Sequence, residues 1–224
     1  MARIWITRSQ PLAEQSAMTL LDMGYDAIAA SLIKIKFLSP RIDLPQNAHL
    51  IFTSRNAVRA FTQRINARHW PCLCVGDFTA EGARAAGFEM VVSVNGAADD
   101  VTAWAQNNIA PDTPVRHISG NHPRGEITER LRAFGFTNVA RELFYKSTAI
   151  THDPRGEKRG DDIVLLYSPL AAKSLAALAL DMSGMGVISM SASIDAGLGD
   201  ISCKSRLIAA LPRENSLFTH LPPI

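Results

Sequence analysis

The chain has 224 residues, of which 47% are hydrophobic and 20% are charged, and its formal net charge at pH 7 is +2. This composition excludes disordered and fibrous proteins, and the small net charge argues against a nucleic-acid-binding protein. The most apolar segment, residues 163–179, is interrupted by Pro169 and Lys173 and is too short for a membrane helix. The first residues lack the apolar segment of a signal peptide, so we expect a cytoplasmic protein.

The three cysteines form no disulfide framework, which is typical of a reducing compartment. Cys72 and Cys74 are two residues apart on a predicted strand, so both thiols point to one face. A metal site would need further ligands, and only His69 is near in sequence. We therefore predict buried cysteines and no metal. The chain also lacks a nucleotide-binding phosphate loop and a nucleophile elbow, and no cofactor is expected.

A unit made of a short apolar strand, one or two small polar residues and a helix recurs along the chain. In the first unit, the strand Ile4–Ile6 is followed by Thr7 and then by a helix that ends at Gly24. Gly87 and Gly135 end two later helices in the same way. Alternating strands and helices predict parallel sheets in an α/β fold, with further strands at residues 50–53, 73–75, 115–119, 163–167 and 187–190.

Three other segments interrupt these units. Residues 34–38 and 143–148 alternate apolar and polar side chains, which predicts two more strands. Residues 151–162 are polar and rich in charge and glycine, and they predict a surface loop.

The units also repeat at long range. Ile6 and Ile118, Ser54 and Ser168, and Gly76 and Ser191 occupy equivalent places in their units and lie between 112 and 115 residues apart. Three offsets so similar, in matching order, favour two copies of one α/β fold.

Small hydroxyl or glycine residues follow most of the predicted strands, with arginines beside them. Ligands of open α/β sheets bind outside the carboxyl ends of the strands, where helix N-termini present free backbone N–H groups. The pattern therefore indicates a polyanionic ligand held by amides, hydroxyls and a few cations. For any one serine or threonine, capping of a helix is the alternative interpretation. The candidate ligand-binding residues are Thr7, Arg8, Thr53, Ser54, Gly76, Thr79, Gly120, Arg124, Ser168 and Ser193.

Five motifs, in order along nearly the whole chain, resemble the uroporphyrinogen-III synthase family. They are Ile6-Thr7-Arg8, residues 51–58 (IFTSRNAV), residues 75–80 (VGDFTA), residues 120–124 (GNHPR) and residues 144–148 (FYKST). The second is the most similar to the strand-to-helix turn of the family, and the last resembles the segment that carries the family's tyrosine. The C-terminal repeat departs from the family pattern at Tyr167 and at residues 191–195.

The resemblance implies two flavodoxin-like parallel-sheet domains joined by a two-stranded linker, with the active site in the interdomain cleft. Residues 1–35 and 149–224 would form the first domain, and residues 36–148 would form the inserted second domain. The segments around residues 34–38 and 143–148 would be the linker strands.

The resemblance also implies the reaction, which closes hydroxymethylbilane to uroporphyrinogen III with loss of water and inversion of ring D through a spiro intermediate. Tyr145 is the candidate catalytic residue, as a neutral phenol that assists departure of the hydroxyl; a packing role in a linker strand is its alternative. We expect a monomer that needs no cofactor and whose only protein partner would be the preceding enzyme of the pathway, in a transient contact.

A different class of function fits the same sequence pattern. A non-catalytic, two-lobed binding protein for a small anion would also need two α/β lobes, and fold does not fix function. A phosphotransfer receiver domain is disfavoured, because only Asp77 and Asp195 approach the strand ends where its acidic cluster belongs.

Overall fold

The computed structural model describes residues 2–123 and 125–224, which form a mixed α/β structure with parallel sheets. The strands are β1 (Ile4–Ile6), β2 (Ala27–Ala29), β3 (Ile33–Phe37), β4 (His49–Phe52), β5 (Cys72–Cys74), β6 (Val91–Ser93), β7 (Val115–Gly120), β8 (Val139–Ala149), β9 (Ile163–Leu166), β10 (Gly186–Ser189) and β11 (Ser205–Ile208). The helices are α1 (Leu12–Asp22), α2 (Arg55–Arg64), α3 (Asp77–Ala85), α4 (Ala98–Asn108), α5 (Ile127–Ala133), α6 (Pro169–Ala177), α7 (Ala192–Asp195) and α8 (Glu214–Phe218).

The chain divides into two compact units. The first unit comprises Met1–Ile35 and Thr148–Ile224 and contains a five-stranded sheet in the order β11-β10-β9-β1-β2. The second unit comprises Lys36–Ser147, and its sheet has the order β3-β8-β7-β4-β5-β6. The boundaries between the units fall within β3 and β8, which are neighbours in the second sheet.

The two sheets share one strand order. Read from β2 towards β11, the first sheet runs β2-β1-β9-β10-β11, and the second contains the run β8-β7-β4-β5-β6. The repeat in the sequence pairs β1 with β7 and β9 with β4, and both pairs occupy matching positions in these two runs. The strand order thus follows the long-range repeat.

The strands predicted from apolar runs are present, and the predicted terminal glycines end their helices. Gly24, Gly87 and Gly135 have φ of +93°, +92° and +89°, a left-handed conformation that glycine adopts without steric cost. Strands β2, β6 and β11 were not predicted. They have only three or four residues each and no fully buried position, and runs this short do not stand out in the sequence.

The core of the first unit lies on both faces of its sheet. Successive residues of β1 point to opposite faces, so Trp5 packs with Val164 and Leu175 while Ile4 and Ile6 pack with α1 and Leu217. This double burial explains why β1 is continuously apolar, as expected for a parallel strand covered on both sides.

The second unit has an aromatic core on one face of its sheet. Phe61 of α2 lies 5.8 Å from Phe52, 5.9 Å from Phe88 and 5.6 Å from Phe144, measured between ring centroids. Cys72 and Cys74 are buried in β5, as predicted, and burial raises the pKa of the Cys74 thiol to about 12. These thiols therefore pack as small apolar side chains.

The polar segment 151–162 is more than the surface loop that its composition predicts. It has no helix or strand, but Arg155 is buried and lies over the ring of Trp5, 4.4 Å from the centroid. Asp162 has no exposed surface and accepts hydrogen bonds from Arg3 Nε (3.0 Å) and Arg155 Nη1 (2.7 Å). Composition did not predict this network, because charges become buried only when they are paired, and the pairing of Asp162 with Arg3 joins residues 159 positions apart.

We expect Asp162→Asn to destabilise the protein by about 3 kcal/mol or more, because removal of this fully buried carboxylate takes a counter-charge from two buried arginines. Arg155 would keep Asp153 (2.8 Å), whereas Arg3 would keep only the longer ion pair with exposed Glu157 (3.7 Å). Urea denaturation followed by circular dichroism would measure the change. Asp26→Asn is the matched control, since Asp26 pairs with Arg159 (2.7 Å) at the surface, where such a pair contributes about 1 kcal/mol or less. Equal losses in the two variants would contradict a special role for the buried network.

Candidate functional site

Four predicted site residues of the second unit lie at the carboxyl edge of its sheet. Strands β7, β4 and β5 are neighbours in that order, and all three run parallel. Gly120 ends β7, Thr53 and Ser54 follow β4, and Gly76 follows β5. The sheet topology thus brings these residues to one edge, which is the ligand-binding edge of open α/β sheets.

Ser54 links this edge to Tyr145. Its backbone is extended (φ −159°, ψ 152°), and its hydroxyl oxygen accepts a hydrogen bond from Ala57 N, which caps α2. The same hydroxyl lies 2.8 Å from the Tyr145 hydroxyl, and either group can donate in that bond. Ser54 therefore caps α2, as the alternative interpretation proposes, and it lies at the sheet edge, where ligand binding stays a prediction.

The two candidates near α3 differ in their exposure. Gly76 is the N-cap residue of α3 and is extended, and a Cβ built on it would have no atom within 4 Å. Thr79 is buried within the first turn of α3. A ligand can therefore approach the backbone at Gly76, whereas the side chain of Thr79 serves the packing of the helix.

Gly120 forms the surface against which the Tyr145 ring lies. A Cβ on Gly120 would stand 2.5 Å from both Cε2 and Cζ of Tyr145, so only glycine permits this contact. The register of β7 and β8 shifts at this point, since Ser119 pairs with Leu143 and Gly120 pairs with Tyr145. Phe144 is the extra residue of this bulge, and bulges commonly redirect a side chain beside a functional site.

Arg141 is a residue of this site that the sequence motifs did not identify. From β8 it donates hydrogen bonds to Ser119 Oγ (2.8 Å, from Nε) and to the carbonyl oxygen of Gly120 (2.6 Å, from Nη2). It also lines a cavity of about 500 Å³ with Asn121, Thr128 and Arg132. Arg141 falls outside the family motifs, and only its cross-strand position reveals its contacts.

His117 is a second residue that was missed. It is 1% exposed within β7, and its Nε2 lies 3.4 Å from the Thr53 hydroxyl oxygen. Burial, together with the positive charge of Arg141, lowers the pKa of His117 to about 4, and Glu129 opposes this shift. At neutral pH the imidazole is therefore uncharged and acts as a hydrogen-bonding group beside Thr53.

In the first unit, Thr7 and Arg8 follow β1, but their side chains are engaged within the protein. Thr7 has no exposed surface and donates its hydroxyl to Leu165 O at 2.6 Å. Arg8 Nη1 forms an ion pair with Glu214 (2.8 Å), and its guanidinium lies 4.7 Å from the centroid of the Tyr167 ring. Burial, with the nearby charge of Glu214, raises the pKa of Tyr167 well above its usual value.

Ser168 and Ser193 are also placed near helix starts of the first unit. Ser168 caps α6 by accepting a hydrogen bond from Ala171 N at 3.2 Å, with nearly the same backbone angles as Ser54. Ser193 is exposed in α7, and its hydroxyl lies 3.1 Å from that of Ser191. Arg124, the remaining candidate, lies outside the described residues.

The arrangement in the second unit supplies a phenol, hydroxyls and helix N-termini, which suits proton donation and anion binding more than nucleophilic attack. Among residues 2–123 and 125–224, no group of three histidine, cysteine or acidic side chains has the geometry of a metal site. None of the helices in the same residues has the length and apolarity to cross a bilayer.

The free energy of unfolding should fall as the pH is lowered from about 6.5 towards 4. The pKa of His117 is about 4 in the folded chain and about 6.5 when unfolded, so only the unfolded chain binds the proton in this range. His117→Asn should flatten this dependence by up to about 3 kcal/mol, measured by urea denaturation at each pH. Exposed His69 is the control, because His69→Asn should keep the wild-type slope. The assignment fails if both variants retain that slope.

The chain was compared with protein families and with solved structures. The structure of uroporphyrinogen-III synthetase from Helicobacter pylori is similar, with a TM-score of 0.65 and 15% identity over 98% of this chain and 97% of that one. A mutant uroporphyrinogen III synthase from Thermus thermophilus gives a TM-score of 0.54 and 11% identity over 98% and 96% of the two chains. No curated protein sequence matches the chain.

Likeness at such low identity establishes the fold alone. The model of the HEM4 family, described as uroporphyrinogen-III synthase HemD, matches residues 14–219 and thus spans most of the sequence. Together with the family motifs at Ser54, Gly120 and Tyr145, this match establishes that the chain belongs to the uroporphyrinogen-III synthase family.

Proposed function

We propose that this chain converts hydroxymethylbilane to uroporphyrinogen III in tetrapyrrole biosynthesis, acting as a cyclising lyase without a cofactor. Membership of the family supports the activity. The observation that carries the proposal is the position of Tyr145. Its ring lies against Gly120, and its hydroxyl lies 2.8 Å from the hydroxyl of Ser54, which caps α2. In this position, Tyr145 would act as a neutral proton donor beside the N-terminus of α2, which attracts carboxylates.

The proposal includes an architecture of two flavodoxin-like domains, residues 1–35 with 149–224 and residues 36–148, joined by β3 and β8. When the strands of the first sheet are numbered by their order in the chain, their spatial order is 2-1-3-4-5, which is the order of flavodoxin. The shared strand order of the second sheet supports the same description. The substrate would bind in the cleft between the domains, a frequent location of ligand sites.

The reaction needs orientation more than strong acid or base catalysis. The C–O bond of the ring A hydroxymethyl group breaks, the hydroxyl leaves as water after taking a proton, and loss of the pyrrole N–H proton gives an azafulvene. The substituted α-carbon of ring D then attacks the methylene carbon, and the spiro intermediate fragments and recloses with ring D inverted. Closure at the free α-carbon gives the type I isomer, so the protein must hold the flexible chain in one conformation.

The proposed roles of the residues follow from their surroundings. Tyr145 donates the proton to the leaving hydroxyl, since a phenol is neutral at pH 7 and can donate a hydrogen bond. In the second unit, the carboxylates of the substrate would meet the backbone and hydroxyls at the sheet edge. The proposed contacts are Thr53, Ser54, Gly76, Thr79 and Gly120, with Arg124 and, from the first unit, Thr7, Arg8, Ser168 and Ser193.

Three of these contacts are restricted by the geometry. The side chain of Thr79 is buried in the first turn of α3. Thr7 has no exposed surface, its hydroxyl donates to Leu165 O and its carbonyl oxygen accepts from Leu32 N, so a ligand could reach it only if the surrounding structure moved. Arg8 is paired with Glu214, and a substrate carboxylate would have to compete with that ion pair. The protein is proposed to act as a cytoplasmic monomer on hydroxymethylbilane, with at most a transient contact with the preceding enzyme.

The isomer composition of the product tests the activity. Purified protein is supplied with enzymatically made hydroxymethylbilane, the products are oxidised, and the type I and type III uroporphyrins are separated. We expect type III to predominate, against type I alone in a sample without protein. Type I alone in the presence of folded protein would overturn the proposal, and tight binding of the substrate without turnover would instead favour the anion-binding alternative.

Tyr145→Phe should lower kcat by about a hundredfold, the lower range for loss of a general acid, and should raise the share of type I product. The fold should persist, because one neutral hydrogen bond contributes only about 1 kcal/mol. Tyr25→Phe is a matched control that removes a hydroxyl bonded to Pro222 O in the first unit and should leave kcat unchanged. Unchanged kinetics in Tyr145→Phe would remove Tyr145 from the mechanism.

A further inference from the structure

The guanidinium of Arg141 spans the end of strand β7. Its Nε donates to Ser119 Oγ at 2.8 Å, and its Nη2 donates to Gly120 O at 2.6 Å. A planar guanidinium can hold two such acceptors at once in a fixed geometry, which a lysine cannot do. The last two residues of β7 are therefore tied to β8 through a side chain.

This side-chain link lies where the backbone pairing of the two strands becomes irregular. The register shifts between Ser119 and Gly120, and Phe144 is the extra residue on β8. Phe144 is fully buried and packs on Phe61, which fixes the bulge from the core side. A bulge interrupts the ladder of backbone hydrogen bonds, and the two bonds from Arg141 hold Ser119 and Gly120 on either side of this interruption.

The position of Gly120 in turn decides where the Tyr145 ring can lie. Atoms of that ring approach the Cα of Gly120 so closely that even a methyl group there would clash. With the ring in this position, the Tyr145 hydroxyl lies 2.8 Å from Ser54 Oγ. A shift of Gly120 by about 1 Å would move the phenol out of reach, and misplacement on this scale can cost about a hundredfold in rate.

We propose that Arg141 is a positioning residue for the reaction. Its guanidinium holds the Gly120 carbonyl oxygen and thereby fixes the position of the Tyr145 phenol. The inference rests on the proposed function, because it concerns the rate of that reaction. Arg141 would act on the reaction only through Gly120 and Tyr145, and the bulge between β7 and β8 would serve to direct Tyr145 to the site.

A direct role is the rival explanation. Arg141 is exposed and lines a polar cavity, so its charge could instead bind a carboxylate of the substrate. The two roles differ in the kinetic constant that they affect. A substrate contact made equally in the ground state and the transition state changes KM, whereas misplacement of the proton donor changes kcat.

The test compares Arg141→Ala and Arg141→Lys in the isomer assay with hydroxymethylbilane. We expect about a tenfold fall in kcat, a KM within twofold of wild type and a larger share of type I product in both variants. Arg132→Ala is the matched control, since Arg132 lines the same cavity and donates to Val139 O (2.8 Å) at the start of β8, away from Tyr145. Its kcat should equal that of wild type.

A double-mutant cycle decides whether Arg141 acts through the phenol. In the Tyr145→Phe background, Arg141→Ala should cause no further fall in kcat, because the hydroxyl that Arg141 positions is already absent. Multiplicative losses, rescue of kcat by Arg141→Lys, or an increase in KM at unchanged kcat would each overturn the inference. Urea denaturation of each variant verifies that the fold is intact.

The two proposals fail in different ways. If wild-type protein makes only the type I isomer, the proposed function fails. If wild-type protein makes type III and the Arg141 variants match it in kcat, only the positioning role fails.

Discussion

The contact between the Tyr145 ring and the backbone of Gly120 is the constraint on which the site of the second unit depends. A phenol ring can approach a strand end this closely only where the residue has no side chain and where the partner strand directs its own side chain towards that end. The bulge between β7 and β8 provides the second condition. Ser54 provides a further contact, because its hydroxyl, which caps α2, is within hydrogen-bonding distance of the Tyr145 phenol.

The two units show how one duplicated plan can serve different purposes. Ser54 and Ser168 cap equivalent helices with nearly identical backbone angles. Only Ser54 is paired with a tyrosine hydroxyl, whereas in the first unit Arg8, Glu214 and Tyr167 form a cluster of their own. The first unit thus uses these polar side chains to hold the C-terminal helix α8, while the second has a tyrosine hydroxyl at its sheet edge.

In the proposed recognition of a polycarboxylate, the backbone N–H groups at helix N-termini would contribute beside the side chains. Thr7 and Thr79 are buried, and Arg8 is paired with Glu214, so three of the seven candidate side chains in the described residues are engaged within the protein. Helix N-termini supply N–H groups whose direction is fixed by the helix, and they bind anions without a large net charge. This physical property agrees with a chain whose formal net charge is only +2.

The sequence by itself determined the alternation of strands and helices, the glycines that end α1, α3 and α5, and the edge of each sheet at which polar residues gather. These features are local, since apolar runs, left-handed glycines and helix caps depend on residues a few positions apart. Only the tertiary structure decided which candidates remain accessible, since the burial of Thr7 and the pairing of Arg8 with Glu214 join residues more than 150 positions apart. The contacts of His117 and Arg141 were likewise not predictable from sequence, because cross-strand register gives a side chain its partners and burial shifts the pKa of a histidine.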